Sequence, residues 1–368
     1  MNRRQAIKNG LKYGAGIGFI SNCTHLDSKR EPALYTAAAK GPSEYCLIGL
    51  DGVGTQRFSV PLPGRAHAIA SDPQGKTLTV FGRRPGFFME VYHPGSGAHL
   101  KSMTPSPGTC FTGHGTYSSD GHFLYVSRNN FEAGLGEVAC YNTESFTLVK
   151  VLSAHGIGTH EIVNQVGSNN LWVANGGVRT HPDFGRAKLN LDTMKPNLSL
   201  VNTSNGKMEG QYKLTQGNPR LSIRHITTKG QSLLAGLQYF GDDGSQWPVV
   251  AELSGESLRL IPLPNSIKEK VRNYCGSIVL DHTGKWAAAS SPKGGVVMFF
   301  RQNPLGFEFY GSYLLKDVCG LAPLNQEGCF VISSGTGKVI AYDAANEGVI
   351  SAGGFSVAFD NHMIASYR

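Results

Sequence analysis

Charge is scarce in this chain, at 16% of 368 residues. No run of five or more Lys or Arg occurs, and the arginines do not interleave with aromatics along one stripe, which argues against a nucleic-acid surface. CxxC and CxxCH are both missing, so neither a thioredoxin-type redox motif nor covalently attached c-type haem is expected. Gly-x-Ser-x-Gly, a P-loop and a Rossmann fingerprint after a strand are absent too. Past the first 22 residues no apolar stretch approaches the about 20 residues that span a bilayer.

Glycine, by contrast, is abundant. The 47 glycines are nearly twice the ordinary share of about 7%. Glycine supplies positive φ without steric cost, so this composition points to many tight turns between short elements and to an all-β protein. With 40% hydrophobic residues the chain can bury a large core, and disorder is not its dominant state.

The formal charge of +8 owes much to the first 22 residues, which carry Arg3, Arg4, Lys8 and Lys12 and no acid. Asn2-Arg3-Arg4-Gln5-Ala6-Ile7-Lys8 resembles the twin-arginine export motif, and the Gly-rich, weakly apolar stretch from Gly10 to Ile20 reads as a signal h-region. Ile20-Ser21-Asn22-Cys23 resembles a lipoprotein cleavage box in which Cys23 is acylated; plain cleavage by a general signal peptidase is the alternative. The expected layout is a signal peptide over 1–22, a linker over 23–42 and one domain over 43–368, located in the periplasm. The membrane is reached only through a lipid on Cys23. In that oxidising compartment Cys46, Cys110, Cys140, Cys275, Cys319 and Cys329 are candidates for disulfides.

The mature region repeats itself. A strand, a turn rich in Asp, Asn and Gly, and a second strand recur at Ala66 to Arg83, Gly113 to Arg128 and Thr159 to Asn175. Further copies run from Arg224 to Leu237, Cys275 to Ser291, Cys319 to Ser334 and Ser356 to Tyr367. Seven such units with alternating apolar positions, most followed by third and fourth strands, predict a single seven-bladed β-propeller; six blades is the main competitor. The last copy is read as a hairpin. Its two strands would pair with N-terminal strands at Tyr45 to Leu50 and Arg57 to Val60, closing the circle and leaving no sheet edge open. One unit carries an insertion, GGVRTHPDFGRAKLNLDTMKP, which is expected to project from one face.

The leader, the seven units and the segments PLPGRAHAIA, FTGHGTYSSDG, GGVRTHPDFGRAKLNLDTMKPNLSLV, LSIRHI, SSPKGGVV and VCGLAP together resemble a bacterial exported family, domain of unknown function 1513. Its members are similar to WD40-like propellers and tend to occur with imelysin-like, iron-regulated periplasmic proteins. The resemblance implies a periplasmic propeller tied to iron or metal uptake, and it brings no catalytic residue.

The first strand of each propeller blade lines the central channel, so residues at one point of every copy converge. His67, His114, His160 and His225 stand at the start of that strand, five to eight residues before the turn glycines Gly75, Gly121, Gly167 and Gly230. Imidazole is the commonest transition-metal ligand, so these four are the candidate ligands of an iron, copper or zinc ion, with Glu161 and Cys319 placed to complete the shell. In the plainer reading they only satisfy backbone groups at a polar channel mouth. Arg65, Arg128, Arg179, Arg186, Arg224 and His181 are candidates to hold an anionic ligand; otherwise the arginines pair with Glu132, Glu161, Asp183 and Asp192. Two functions follow: a binding protein for a metal ion, a metal chelate or a periplasmic partner protein, or a metal-dependent enzyme of lyase, oxidase or lactonase type using the same histidines. The aligned strand starts offer mainly His, Gly and Ser and few acidic ligands, which favours binding.

Overall fold

The computed structural model of the protein describes residues 33–52, 54–185, 187–242 and 244–366. The expected signal peptide and Cys23 lie outside the described residues. What is described is a ring of seven four-stranded antiparallel sheets. Their inner strands are Ala66–Ser71, Thr109–Tyr117, Thr159–Asn164, Leu221–Lys229, Ser277–Leu280, Val318–Pro323 and Ala358–Ser366, which number the blades 1 to 7. Each inner strand packs against those of the two neighbouring blades, and blade 7 meets blade 1 to close the circle.

Closure departs from the expected two-plus-two arrangement. Blade 7 takes three strands from one end of the chain, Ala33–Ala39, Tyr45–Leu50 and Gln56–Leu62, and only Ala358–Ser366 from the other. The last copy is therefore one strand, Ala358–Ser366, and not a hairpin, and Ala33–Ala39, inside the stretch expected to be a linker, is a propeller strand. Ala33–Ala39 reads ALYTAAA and has few of the β-branched residues that mark strands, yet it is buried almost throughout. Packing between two neighbours, rather than propensity, makes it a strand.

The period-2 alternation of the strands directs successive side chains to opposite sides of a blade. In blade 7, Leu34 joins a cluster with Ala322, Val331 and Val339 of blade 6, while Tyr35 joins one with Ile69, Leu78 and Val80 of blade 1. Seven such clusters occur, each between two adjacent blades. The apolar cores thus lie between blades, and the axis is left to polar groups.

Candidate functional site

In six blades the pairing of the inner strand with its neighbour slips at one point. The slips fall at Ala66/Ile69, Phe111/Gly115, Thr159/Ile162, Ile223/His225 and Val318/Leu321, and in blade 7 opposite Thr36/Ala38. A β-bulge of this kind bends the strand and re-aims a side chain. His67, His114 and His160 lie within their slips, His225 borders its own, and His362 stands in the blade 7 slip. Hydroxyls on the second strand take up carbonyls freed there: Ser127 Oγ donates to His114 O at 2.9 Å and Thr36 Oγ1 to His362 O at 2.9 Å.

The result is a ring of five imidazoles. Successive centroids are 4.5 Å apart for His362 and His67, 4.8 Å for His67 and His114, and 4.6 Å for His114 and His160. His160 and His225 are 4.7 Å apart, and so are His225 and His362, which closes the ring. The four histidines expected to converge do so. They are 1–6% exposed, however, so they lie within the channel rather than at an open mouth. His362 was missed because Asp360-Asn361 looks like a turn between two strands; read as one strand, the last copy has its histidine where the other copies have theirs.

Two triads, His67/His114/His362 and His114/His160/His225, each bring one nitrogen per ring within 4.8 Å of the others. Three imidazole nitrogens that converge are a donor set of the kind that binds zinc at about 2.0–2.1 Å. Burial holds His67, His160 and His362 well below the usual histidine range, reinforced by neighbouring rings and arginines. Burial likewise brings His225 down to about 4, against the opposing pull of Glu161. Neutral imidazole is the ligating form. His67 Nδ1, His114 Nε2, His160 Nδ1 and His362 Nε2 are buried with no hydrogen-bond partner. Each such atom costs about 1–3 kcal/mol if nothing meets it, so the plainer reading, in which the rings satisfy backbone groups, does not account for these four nitrogens.

Glu161 sits behind two of the rings. Its Oε2 is 3.1 Å from His225 Nδ1 and accepts from Ile226 N at 3.1 Å, and its Oε1 is 3.5 Å from His114 Nδ1. Burial raises this carboxyl, but His114 and His225 outweigh it and hold it well below the usual range. A carboxylate on the far nitrogen is the arrangement that orients a metal-bound histidine. Cys319 is turned away, its Sγ donating to Asp317 O at 3.1 Å.

The arginines divide. Arg65 Nε pairs with Asp360 Oδ2 at 2.5 Å and Arg128 Nε with Glu137 Oε2 at 2.7 Å, carboxylates other than those expected. Arg224 is 9% exposed, and its Nε has no partner. It directly precedes His225 in the blade 4 inner strand, and its charge adds to the lowering of His160 and His225. Arg84, which the sequence reading passed over, has a buried Nη1 without a partner. Arg186 lies outside the described residues.

The insertion bridges three blades. Arg179 lies under the blade 2 loop at Gly134, and His181 packs between Phe131 and Phe184 at 5.0 and 5.6 Å while accepting from Asp183 N. At its other end Asp192 pairs with Arg220 of blade 4 at 2.5 Å, and Lys188 lies 5.0 Å over Phe240. Because strands alternate in direction, a loop between second and third strands emerges on the face from which the inner strand starts. His67 and His160 are second residues of their inner strands, so the insertion occupies the face nearer the ring. Its residues make contacts of their own along the rim, and Arg179 and His181 are not among the groups of the ring.

No disulfide forms at Cys46, Cys110, Cys140 or Cys275, which are buried single thiols. Burial pushes Cys110 up to about 11 and Cys275 up to about 12, so they are unreactive.

Among solved structures the chain is similar to U3-55K, at 14% identity and a TM-score of 0.56, covering 93% of this chain and 98% of that one. It is also similar to the RRP9 WD40 repeats, at 14% identity and a TM-score of 0.57, covering 95% and 98%. Identity this low speaks for the fold alone. No curated protein matches the chain. A family described as a protein of unknown function, DUF1513, matches residues 60–366.

Proposed function

The chain belongs to the DUF1513 family, and from its own residues we propose that it is a metal-binding propeller, holding iron, copper or zinc on the histidine ring. The observation that carries this is the set of four buried imidazole nitrogens without partners, on residues that belong to two triads of converging rings. Neutral imidazoles suit transition metals and are poor hosts for hard cations, which prefer oxygen. His114 belongs to both triads and is the central ligand. Burial of the ring favours retention of the ion over turnover of a substrate, so the reading is of a binding protein. The twin-arginine leader and the family resemblance support a periplasmic setting and a link to metal uptake, including capture of a chelated metal or of a partner protein.

The test is metal analysis of the protein purified from its native compartment, followed by titration of the stripped protein with zinc, copper and ferrous iron. About one ion per chain is expected, lost in His114→Ala. A native protein that carries no metal and takes up none of the three on titration would end the proposal.

A further inference from the structure

Two guanidinium groups have buried donors that no hydrogen bond or ion pair among the described residues meets. Arg224 precedes His225 at the blade 4 slip, and Arg84 follows the blade 1 strand Leu78–Gly82. Arg224 Nε and Arg84 Nη1 are buried without hydrogen-bond partners. Arg128, the other fully buried arginine, is neutralised by Glu137, and the part-buried Arg65 by Asp360. A buried charge left alone costs several kcal/mol, so an unpaired couple is anomalous. Arg84 and Arg224 lie near enough for the charge of one to act on the other. Tyr274 feels Arg224 and acts on Arg84, and its hydroxyl accepts from Asn361 Nδ2 at 2.9 Å.

We infer that Arg84 and Arg224, with Tyr274 beside them, form a binding site for a small carboxylate that sits next to the histidine ring and co-ligates its metal. The co-ligation rests on the metal reading; the carboxylate site does not. A guanidinium offers parallel N–H donors that match a carboxylate, and each of these two has a donor to spare. Charge balance points the same way. Glu161 is the carboxylate that touches the ring, so a dication added to two guanidiniums leaves a positive surplus that a dicarboxylate offsets. Arg84 is only partly buried, so the site is not sealed from solvent.

Calorimetric titration of the metal-free protein with oxalate tests the site. One oxalate per chain is expected, with affinity reduced at least about tenfold in Arg84→Gln and in Arg224→Gln. Thermal unfolding checks that the variants fold, and Arg84→Lys and Arg224→Lys, which keep the charge and lose the fork, should fall between. Absence of oxalate binding, affinity unchanged from wild type in both Gln variants, or tighter binding of inorganic phosphate than of oxalate would overturn the site. Loading with zinc should tighten oxalate binding, and oxalate should tighten zinc binding by the same factor. Arginine-dependent oxalate binding that ignores bound zinc overturns the co-ligation. If no zinc binds while oxalate still does, the metal reading fails and the carboxylate site stands.

Discussion

Five blades place an imidazole on the channel and two do not, although all seven share one architecture. Blade 5 pairs Ser277–Leu280 with Trp286–Ser291 without a slip, so nothing there re-aims a side chain. Blade 6 does slip, but Cys319 and Gly320 occupy the position. A Cβ on Gly320 would lie 2.8 Å from Met363 N and 2.9 Å from the His362 carbonyl carbon. Blade 6 therefore does without a side chain where blade 7 seats its histidine. The bulge is a property of the fold, whereas the number of imidazoles depends on which bulges carry a histidine and which yield space.

The largest expected effect lies within the histidine half. His114→Ala removes the ligand shared by both triads and should weaken metal binding at least about 100-fold, above the 10–100-fold typical of supporting groups. His67→Ala or His160→Ala leaves one triad whole and should cost about tenfold, measured by competition with a chromophoric chelator. Equal losses in all three would mean that the ring does not act as two triads.

Next come the glycines that make room for the rings. Gly113 has φ +99°, and a Cβ there would meet His67 Cδ2 at 2.8 Å. Gly113→Ala and Gly320→Ala should each cost about 2–3 kcal/mol in denaturant unfolding. Gly75→Ala, at φ +69° in open space, should cost nearer 1 kcal/mol. Similar costs at all three sites would show that close packing against the histidines adds nothing.

Acid should separate the two halves by a smaller amount. An unfolded histidine takes up its proton near 6.5, while burial delays His225 until about 4. His67, His160 and His362 are lowered in the same direction. Their stabilisation is complete above pH 6.5 and is lost progressively as pH falls below it, because there the unfolded chain binds more protons than the folded one. The slope is at most about 1.4 kcal/mol per pH unit for each such histidine. Thermal unfolding of metal-free protein should follow this trend and flatten in His67→Gln/His362→Gln. A slope unchanged in that variant would place the acid sensitivity elsewhere. The smallest effect belongs to blade 6, where Cys319→Ser should leave metal affinity unchanged.

The repeats, the seven blades and four of the five ring histidines were legible because a strand–turn–strand unit keeps its own spacing along the chain. The fifth was not, since Asp360-Asn361 has the composition of a turn and becomes part of a strand only when Thr36 and Ala38 pair opposite it. Bulges are invisible in one strand, for they are defined by the partner. The same reason hid the arginine pairings. Arg65 and Asp360 lie 295 positions apart, and only closure of the circle brings them together. Arg84 was passed over because it falls outside the repeated strands, in the connection after Gly82.

The joint at blade 7 sets an order of events. Thr36 holds the carbonyl of His362, and the strand that carries His362 also brings Asp360 to Arg65. A chain made from its N-terminus has four of the histidines before this strand exists, and the circle cannot shut until the fifth is made. An ion gripped by His67, His114 and His362 would then act as a clasp across that joint. At a concentration 1,000 times its dissociation constant it would add about 4 kcal/mol to the closed form. Release of the ion would loosen blade 7 first, so the propeller would begin to open at the place where it was last closed.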